Sequence, residues 1–272
     1  MNAIEVKGLR KHYGRQRAVD GIDLHVAEGE VYSLLGPNGA GKTTTVEILE
    51  GDRRRDAGEV RVLGVDPQRA GLAWRCQIGI VLQEASDAGE LTVAETVRHF
   101  AKYYPHARRP DDVIAMVGLT EHAKRKVRLL SGGQRRRLDV AVGVVGRPRL
   151  LFLDEPTTGF DPEARRAFWG LIRELRRDGT TILLTTHYLD EAEALADRVG
   201  IVAAGRVVAE GTPAQLRGDE VTVSWLDGQT RRSVRTTDAA TVVAQIGSVA
   251  GLTVTPPSLE DVYLTLIGSE SR

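Results

Sequence analysis

The sequence predicts an α/β fold with an antiparallel β layer added at its N-terminal side, and three observations carry that prediction. Short apolar runs at Val31–Leu35, Ile78–Leu82, Leu150–Leu153, Thr181–Thr185 and Val199–Ala203 read as strands buried on both faces. Segments of helical period separate them, and strands alternating with helices build a mainly parallel sheet covered by helices. By contrast Ala3–Leu9, Val19–Val26 and Gly58–Leu63 alternate apolar with polar residues, which suits half-exposed antiparallel strands.

Each element has its own reason. Val31–Leu35 breaks into a glycine-rich stretch, and Thr43–Leu49 then reads as a helix, giving strand, loop, helix. Beyond the second apolar run the texture changes. Thr92 and Glu95 stand at capping-box spacing, and Val93, Val97, Phe100 and Tyr104 recur at helical intervals. Asp111–Leu119 gives a further short helix and Arg135–Val145 another, so residues 91–145 read as a helical subdomain inserted into the α/β core. The last boundary falls near Arg217 and Gly218. Val221–Trp225 and Arg231–Arg235 flank an Asp227-Gly228 hairpin signal, followed by a helix over Asp238–Ile246 and a strand over Leu252–Thr255. Ser258 caps a final helix that places Leu259, Val262, Tyr263, Leu266 and Ile267 on one face. Residues 218–272 therefore form a small α+β appendix.

Composition narrows the function classes. With 42% hydrophobic and 27% charged residues, the chain has material for a proper core. Its 37 basic residues balance 37 acidic ones, so there is no long-range basic field of the kind a dedicated nucleic-acid binder carries, and no nucleic acid is expected as a partner. The clusters Arg53–Arg55, Arg135–Arg137 and Arg165–Arg166 read as solvated faces with acidic neighbours. Cys76 is the only cysteine, which excludes an intrachain disulfide, reads as a buried inert thiol and makes a reducing cytoplasm the default compartment. No apolar stretch approaches the ~18 residues needed to span a bilayer, and the N-terminal residues lack the pattern of a signal peptide.

Three motifs carry chemistry. Gly36-Pro37-Asn38-Gly39-Ala40-Gly41-Lys42-Thr43, followed by Thr44, fits the phosphate-loop pattern between a strand and a helix. Its glycines let backbone N–H groups turn onto phosphate oxygens, Lys42 neutralises the β and γ phosphates, and the Thr43 hydroxyl suits Mg²⁺. Leu150–Leu153 runs into Asp154 and Glu155, a buried strand ending in two carboxylates; Asp154 is placed to hold Mg²⁺ and Glu155 to polarise an attacking water. Leu130-Ser131-Gly132-Gly133-Gln134 opens a helical stretch and forms a second anion-binding element of different design.

In this order the three motifs resemble the nucleotide-binding subunit of ATP-binding-cassette (ABC) transporters, over residues 1 to about 217. The resemblance implies an ABC-type P-loop ATPase: an N-terminal antiparallel β subdomain, a RecA-like parallel-sheet core and the inserted helical subdomain. It implies ATP and Mg²⁺ as cofactors and a head-to-tail homodimer in which Ser131, Gly132, Gly133 and Gln134 serve the partner's ATP. Tyr13 resembles the aromatic residue that stacks on adenine, and Gln83 the glutamine that reaches Mg²⁺ and the attacking water beside the membrane subunit. His187 resembles the switch histidine on the γ phosphate, and Asp161 the loop that crosses the dimer interface, with Phe160 where leucine is usual. A separate integral membrane permease is implied as partner, with this subunit held peripherally on the cytoplasmic face of the membrane.

The appendix is similar to that of bacterial exporters of the ABC-2 type, including drug and antibiotic efflux ATPases. An importer subunit is the alternative, and importers tend to carry a longer β-rich addition. Soluble cassettes acting on ribosomes or DNA usually carry two cassettes in one chain or a long coiled-coil insertion, and neither is present. A nucleotide-binding regulator without turnover is disfavoured by the presence of both Glu155 and His187.

Overall fold

A computed structural model describes residues 1–81, 89–247, 249–255 and 258–270. The chain begins with β1 (Asn2–Tyr13), β2 (Gln16–Ala27) and β3 (Val31–Leu35), followed by α1 (Lys42–Glu50), β4 (Ala57–Val62), α2 (Leu72–Arg75) and β5 (Ile78–Val81). The helical insert holds α3 (Val93–Ala101), α4 (Pro110–Met116) and α5 (Gly132–Val145). The core resumes with β6 (Leu150–Asp154), α6 (Pro162–Arg177), β7 (Thr181–Thr186), α7 (Leu189–Leu195), β8 (Arg198–Ala203), β9 (Arg206–Gly211) and α8 (Pro213–Arg217). The appendix consists of β10 (Val221–Asp227), β11 (Thr230–Thr236), α9 (Ala239–Ile246), β12 (Thr253–Thr255) and α10 (Leu259–Glu270).

A six-stranded sheet in the order β5-β6-β7-β3-β8-β9 is the centre of the molecule. Its first five strands run parallel, and β9 closes the edge antiparallel to β8. On one face Val31, Leu151, Leu153, Ile182 and Leu184 pack against α3, α4, α5 and α6 through residues such as Val97, Ile114, Leu138 and Phe168. On the other face Tyr32, Leu34, Phe152 and Leu183 meet α1 and the apolar side of the β2-β1-β4 antiparallel sheet, including Ile4, Val6, Ile22 and Val60. Alternate residues along β6 and β7 thus serve opposite cores, which is why these strands read as continuous apolar runs.

The expected elements lie close to where the sequence places them, with instructive shifts. The helix expected over Asp111–Leu119 stops at Met116 because Gly118 turns left-handed (φ 67°), and the Leu119 N–H reaches back to the Ile114 carbonyl in a Schellman-type close. The helix expected from Arg135 starts at Gly132 instead, since Ser131 and Gln134 form a reciprocal capping box. Thr92 and Glu95 make the expected box on α3. Cys76 is only partly buried, because it stands at the C-cap of α2 and not inside a core element. Leu82 and the Ile267 side chain lie outside the described residues. No described helix is long and apolar enough to cross a membrane.

Candidate nucleotide site

The chemistry-bearing residues collect at the C-terminal ends of the parallel strands, where open α/β sheets place their ligands. β3 ends at Leu35 and the chain folds back over itself to reach α1. Gly41, the N-cap of α1, has φ 102°, and a Cβ there would stand 2.2 Å from the Ala18 carbonyl oxygen of β2. At Gly36 a Cβ would meet the Val202 carbonyl oxygen at 2.3 Å. Both glycines are therefore fixed by close backbone approach, and the loop is clamped between β2 and β8. Lys42 is 5% exposed and donates from Nζ to the carbonyls of Gly36 (2.7 Å) and Pro37 (3.1 Å). Burial lowers its pKa, while the Glu155 and Asp154 carboxylates pull it back up.

Around this loop a cleft of about 460 Å³ is lined by Tyr13, Gln16, Ala18, Asn38, Gly39, Gly41, Lys42, Thr43, Thr44 and Glu155. A second cleft of about 510 Å³, with Arg108, Arg147 and Arg149 in its wall, sits where β6 and β7 begin, away from every motif. Tyr13 ends β1 as an exposed residue (41%), and Lys11 and Arg53 stand 5.6 and 5.5 Å from its ring centroid. The structure thus brings the expected aromatic residue and the phosphate loop into one cleft.

β6 delivers the two carboxylates. Asp154 accepts from Thr43 Oγ1 at 3.3 Å on one oxygen and from Thr185 Oγ1 on the other. Glu155, the next residue, has left-handed backbone (φ 43°), a conformation that costs a non-glycine residue about 1–3 kcal/mol. Its N–H, held by Thr185, offsets part of that cost. The turn sends the Glu155 carboxylate back over the phosphate loop: Oε1 is 3.6 Å from Lys42 Nζ, and Oε2 is 3.2 Å from His187 Nδ1. The His187 contact is close but off the hydrogen-bond line. Lys42, Glu155 and His187, far apart in sequence, meet at one point.

Arg136 corrects the reading of its cluster as a solvated face. It is 8% exposed, and its guanidinium donates to the backbone carbonyls of Asp154 (2.7 Å) and Pro156 (3.1 Å), pinning the strand end that carries both carboxylates. Burial lowers its pKa, against nearby Asp139, Asp154 and Glu191. The sequence offers no local signal that separates it from Arg135 and Arg137. Arg53 fits the original reading, paired with Glu47, whereas the Arg55 side chain is largely buried in its pair with Asp66.

The remaining expected residues lie elsewhere. Ser131 and Gly132 are exposed, and none of Ser131, Gly132, Gly133 and Gln134 lines the cleft around Lys42. Gln134 also contacts His122 at 2.9 Å. Asp161 is exposed and caps α6, accepting from the Ala164 N–H at 2.8 Å, while Phe160 packs edge-on against Phe168 at 5.7 Å. Gln83 lies outside the described residues.

The sequence profile that matches residues 19–158 describes the ABC transporter family. The chain belongs to that family. The ABC cassette is 46% identical over 222 residues to the daunorubicin resistance ATP-binding protein DrrA3 of Streptomyces coeruleorubidus, covering 80% of this chain and 70% of that one. It is 38% identical to a Nod factor export ATP-binding protein I of Paraburkholderia xenovorans, over 99% of this chain and 98% of that one. Among solved structures it resembles the ATP-binding subunit of an ABC transporter, 29% identical with TM-score 0.72, covering 79% and 92% of the two chains. It also resembles a dimeric ATP-binding cassette in a post-hydrolysis state with ADP and Pi, 25% identical with TM-score 0.69, covering 77% and 98%. The cassette is a nucleotide-binding, ATP-hydrolysing enzyme.

Proposed function

We propose that this cassette powers a separate integral membrane permease for export, from a peripheral position on the cytoplasmic face of the membrane. The observation that carries the chemistry is Glu155, turned over the phosphate loop between Lys42 and His187. Direction rests on the relatives, whose names speak of drug resistance and of export. Drugs, antibiotics or similar small molecules are the cargo class this reading supports.

ATP lies along the cleft, with adenine on Tyr13 and the phosphates in the loop from Gly36 to Thr44. Lys42 moves its ammonium from the loop carbonyls onto the β and γ phosphates. Thr43 and Asp154 offer hard oxygen donors 3.3 Å apart, and these two residues would hold Mg²⁺. Bound there, the ion would supply charge neutralisation for the phosphoryl group in transfer. Glu155 takes a proton from the attacking water as its oxygen bonds to the γ phosphorus and the bridge to the β phosphate breaks, giving ADP and phosphate. His187 orients the γ phosphate from the other side of Glu155; Gln83, outside the described residues, would contribute to holding the ion and the water, as the family resemblance implies.

None of Ser131–Gln134 lines the loop cleft, and they present a helix N-terminus elsewhere on the surface. A second copy in head-to-tail arrangement brings that segment over the γ phosphate, with Asp161 crossing between the copies. The test is affinity capture of tagged Glu155→Gln cassette from detergent-solubilised native cells with Mg²⁺ and ATP. A stoichiometric multi-span membrane protein is expected; ribosomes or DNA-repair proteins without a membrane partner would overturn the transporter reading.

A further inference from the structure

The helix that starts at Asp161 and the loop that carries His187 are joined by a compact set of contacts that the hydrolytic chemistry does not itself use. Arg165 stands in the first turn of α6. Its Nη1 is 3.0 Å from Asp190 Oδ2, and its guanidinium carbon is 4.6 Å from the centroid of the Tyr188 ring. The Tyr188 ring is in turn 4.1 Å from the His187 ring, tilted by 40°. Arg165 Nε is shut off from solvent with no hydrogen-bond partner, so this guanidinium is set into the junction and does not merely lie over it.

One turn along α6 stands Trp169, close to the Glu191 carboxylate. Glu191, fully buried at the start of α7, has Thr186, Thr157 and Trp169 around its carboxylate, with Arg165 as the nearby positive charge. Thr157 belongs to the segment just after Glu155 and Thr186 to the residue just before His187. The Thr186 hydroxyl also accepts from the Tyr188 N–H at 2.9 Å. The junction therefore ties both reactive loops to α6.

We propose that Arg165 is a positioning residue for His187: by pairing with Asp190 and stacking on Tyr188, it clamps the switch loop to the helix capped by Asp161. A cation over an aromatic face, partly desolvated, fixes the plane of that ring. Tyr188 passes the constraint on because its ring lies directly against the imidazole. Any contact at Asp161 thereby acts on the angle at which His187 meets the γ phosphate. The proposal rests on the reading of His187 as the γ-phosphate contact.

The experiment is a double-mutant cycle on the full chain with Arg165→Ala, His187→Ala and the pair, reading kcat, KM and ATP Kd, together with ¹⁵N spectra of the histidine rings. Arg165→Ala is expected to lower kcat roughly tenfold or more with ATP Kd unchanged, since misplacement of a reacting contact costs rate and not binding. In the His187→Ala background the same change should cost nothing further. The His187 ring resonance, identified by its loss in His187→Ala, should move in Arg165→Ala while those of the other histidines stay. Arg165→Lys, which keeps the charge but loses the planar stack, should share the loss and controls for folding. Additive effects, or an unmoved His187 resonance, would overturn the clamp. If His187→Ala alone keeps full turnover, the γ-phosphate reading fails, and the ring resonance still decides whether Arg165 holds the loop.

Discussion

Glu155 and Lys42 face each other at 3.6 Å, both side chains at least nine-tenths buried, across the cleft where the β and γ phosphates are expected. The pairing has a chemical use. An ammonium already neutralised by a carboxylate is tolerable in a buried loop, and arrival of the phosphates takes the ammonium away and leaves Glu155 free to accept a proton.

Glu155→Gln should therefore keep ATP binding and lose turnover by about 10²–10⁴-fold, the span typical of general-base removal. Phosphate release and equilibrium nucleotide binding measured on the same preparation check this. Near-normal hydrolysis would remove Glu155 from the role of base.

Lys42→Ala should lose both binding and turnover, because the loop then has backbone donors but no mobile positive charge. Titration with a fluorescent ATP analogue is the readout. Tight binding in this variant would count against the phosphate loop as the anchor.

Tyr13→Ala should weaken ATP by about 1–3 kcal/mol, the usual size of one base-on-aromatic stack. Inorganic tripolyphosphate, which has no base, should compete equally well against both proteins. Equal loss for the two ligands would show that Tyr13 shapes the loop and does not read adenine.

Arg136→Ala should destabilise the fold, since two buried carbonyls lose their donor at about 1–3 kcal/mol each. Thermal unfolding monitored by circular dichroism should fall by several degrees. An unchanged Tm would mean that water replaces the guanidinium behind β6.

Glu50 predicts a pH dependence. Burial, with Asp154, Glu47 and Asp52 nearby, raises its carboxyl from 4.5 to about 8. The unfolded chain releases this proton near pH 4.5 and the folded one holds it to about pH 8, so stability falls as pH rises through that window and levels off above it. The loss by pH 7 amounts to roughly 3 kcal/mol. Glu50→Gln should remove this slope, gaining on the parent between pH 5 and 8 in denaturant titrations. Parallel curves would place the charge of Glu50 in solvent.

Much of this was legible in the sequence. Phosphate-loop spacing and the apolar run ending at Asp154 and Glu155 located the site, because each depends on local order in the chain. The N-terminal alternation reported the antiparallel layer for the same reason. Three features were not legible. β9 is a short edge strand of intermediate burial, with too little alternation to stand out from a turn. The left-handed backbone at Glu155 is imposed by Thr185 from a neighbouring strand. Arg136 sits between Arg135 and Arg137, which are only partly buried, and only the location of β6 separates it from them.

The boundary near Gly218 is a boundary in texture but not in packing. Leu259 of α10, 1% exposed, lies in the same apolar cluster as Leu35, Val199 and Ile201. Leu35 is the last residue of the strand that launches the phosphate loop. Deleting the appendix at Gly218 would thus uncover that strand end and surrender the ~1.5–3 kcal/mol that a buried leucine contributes. Truncation is then a poor way to ask what the appendix is for. A chain cut there will register damage to the nucleotide site first, whatever else the last residues do.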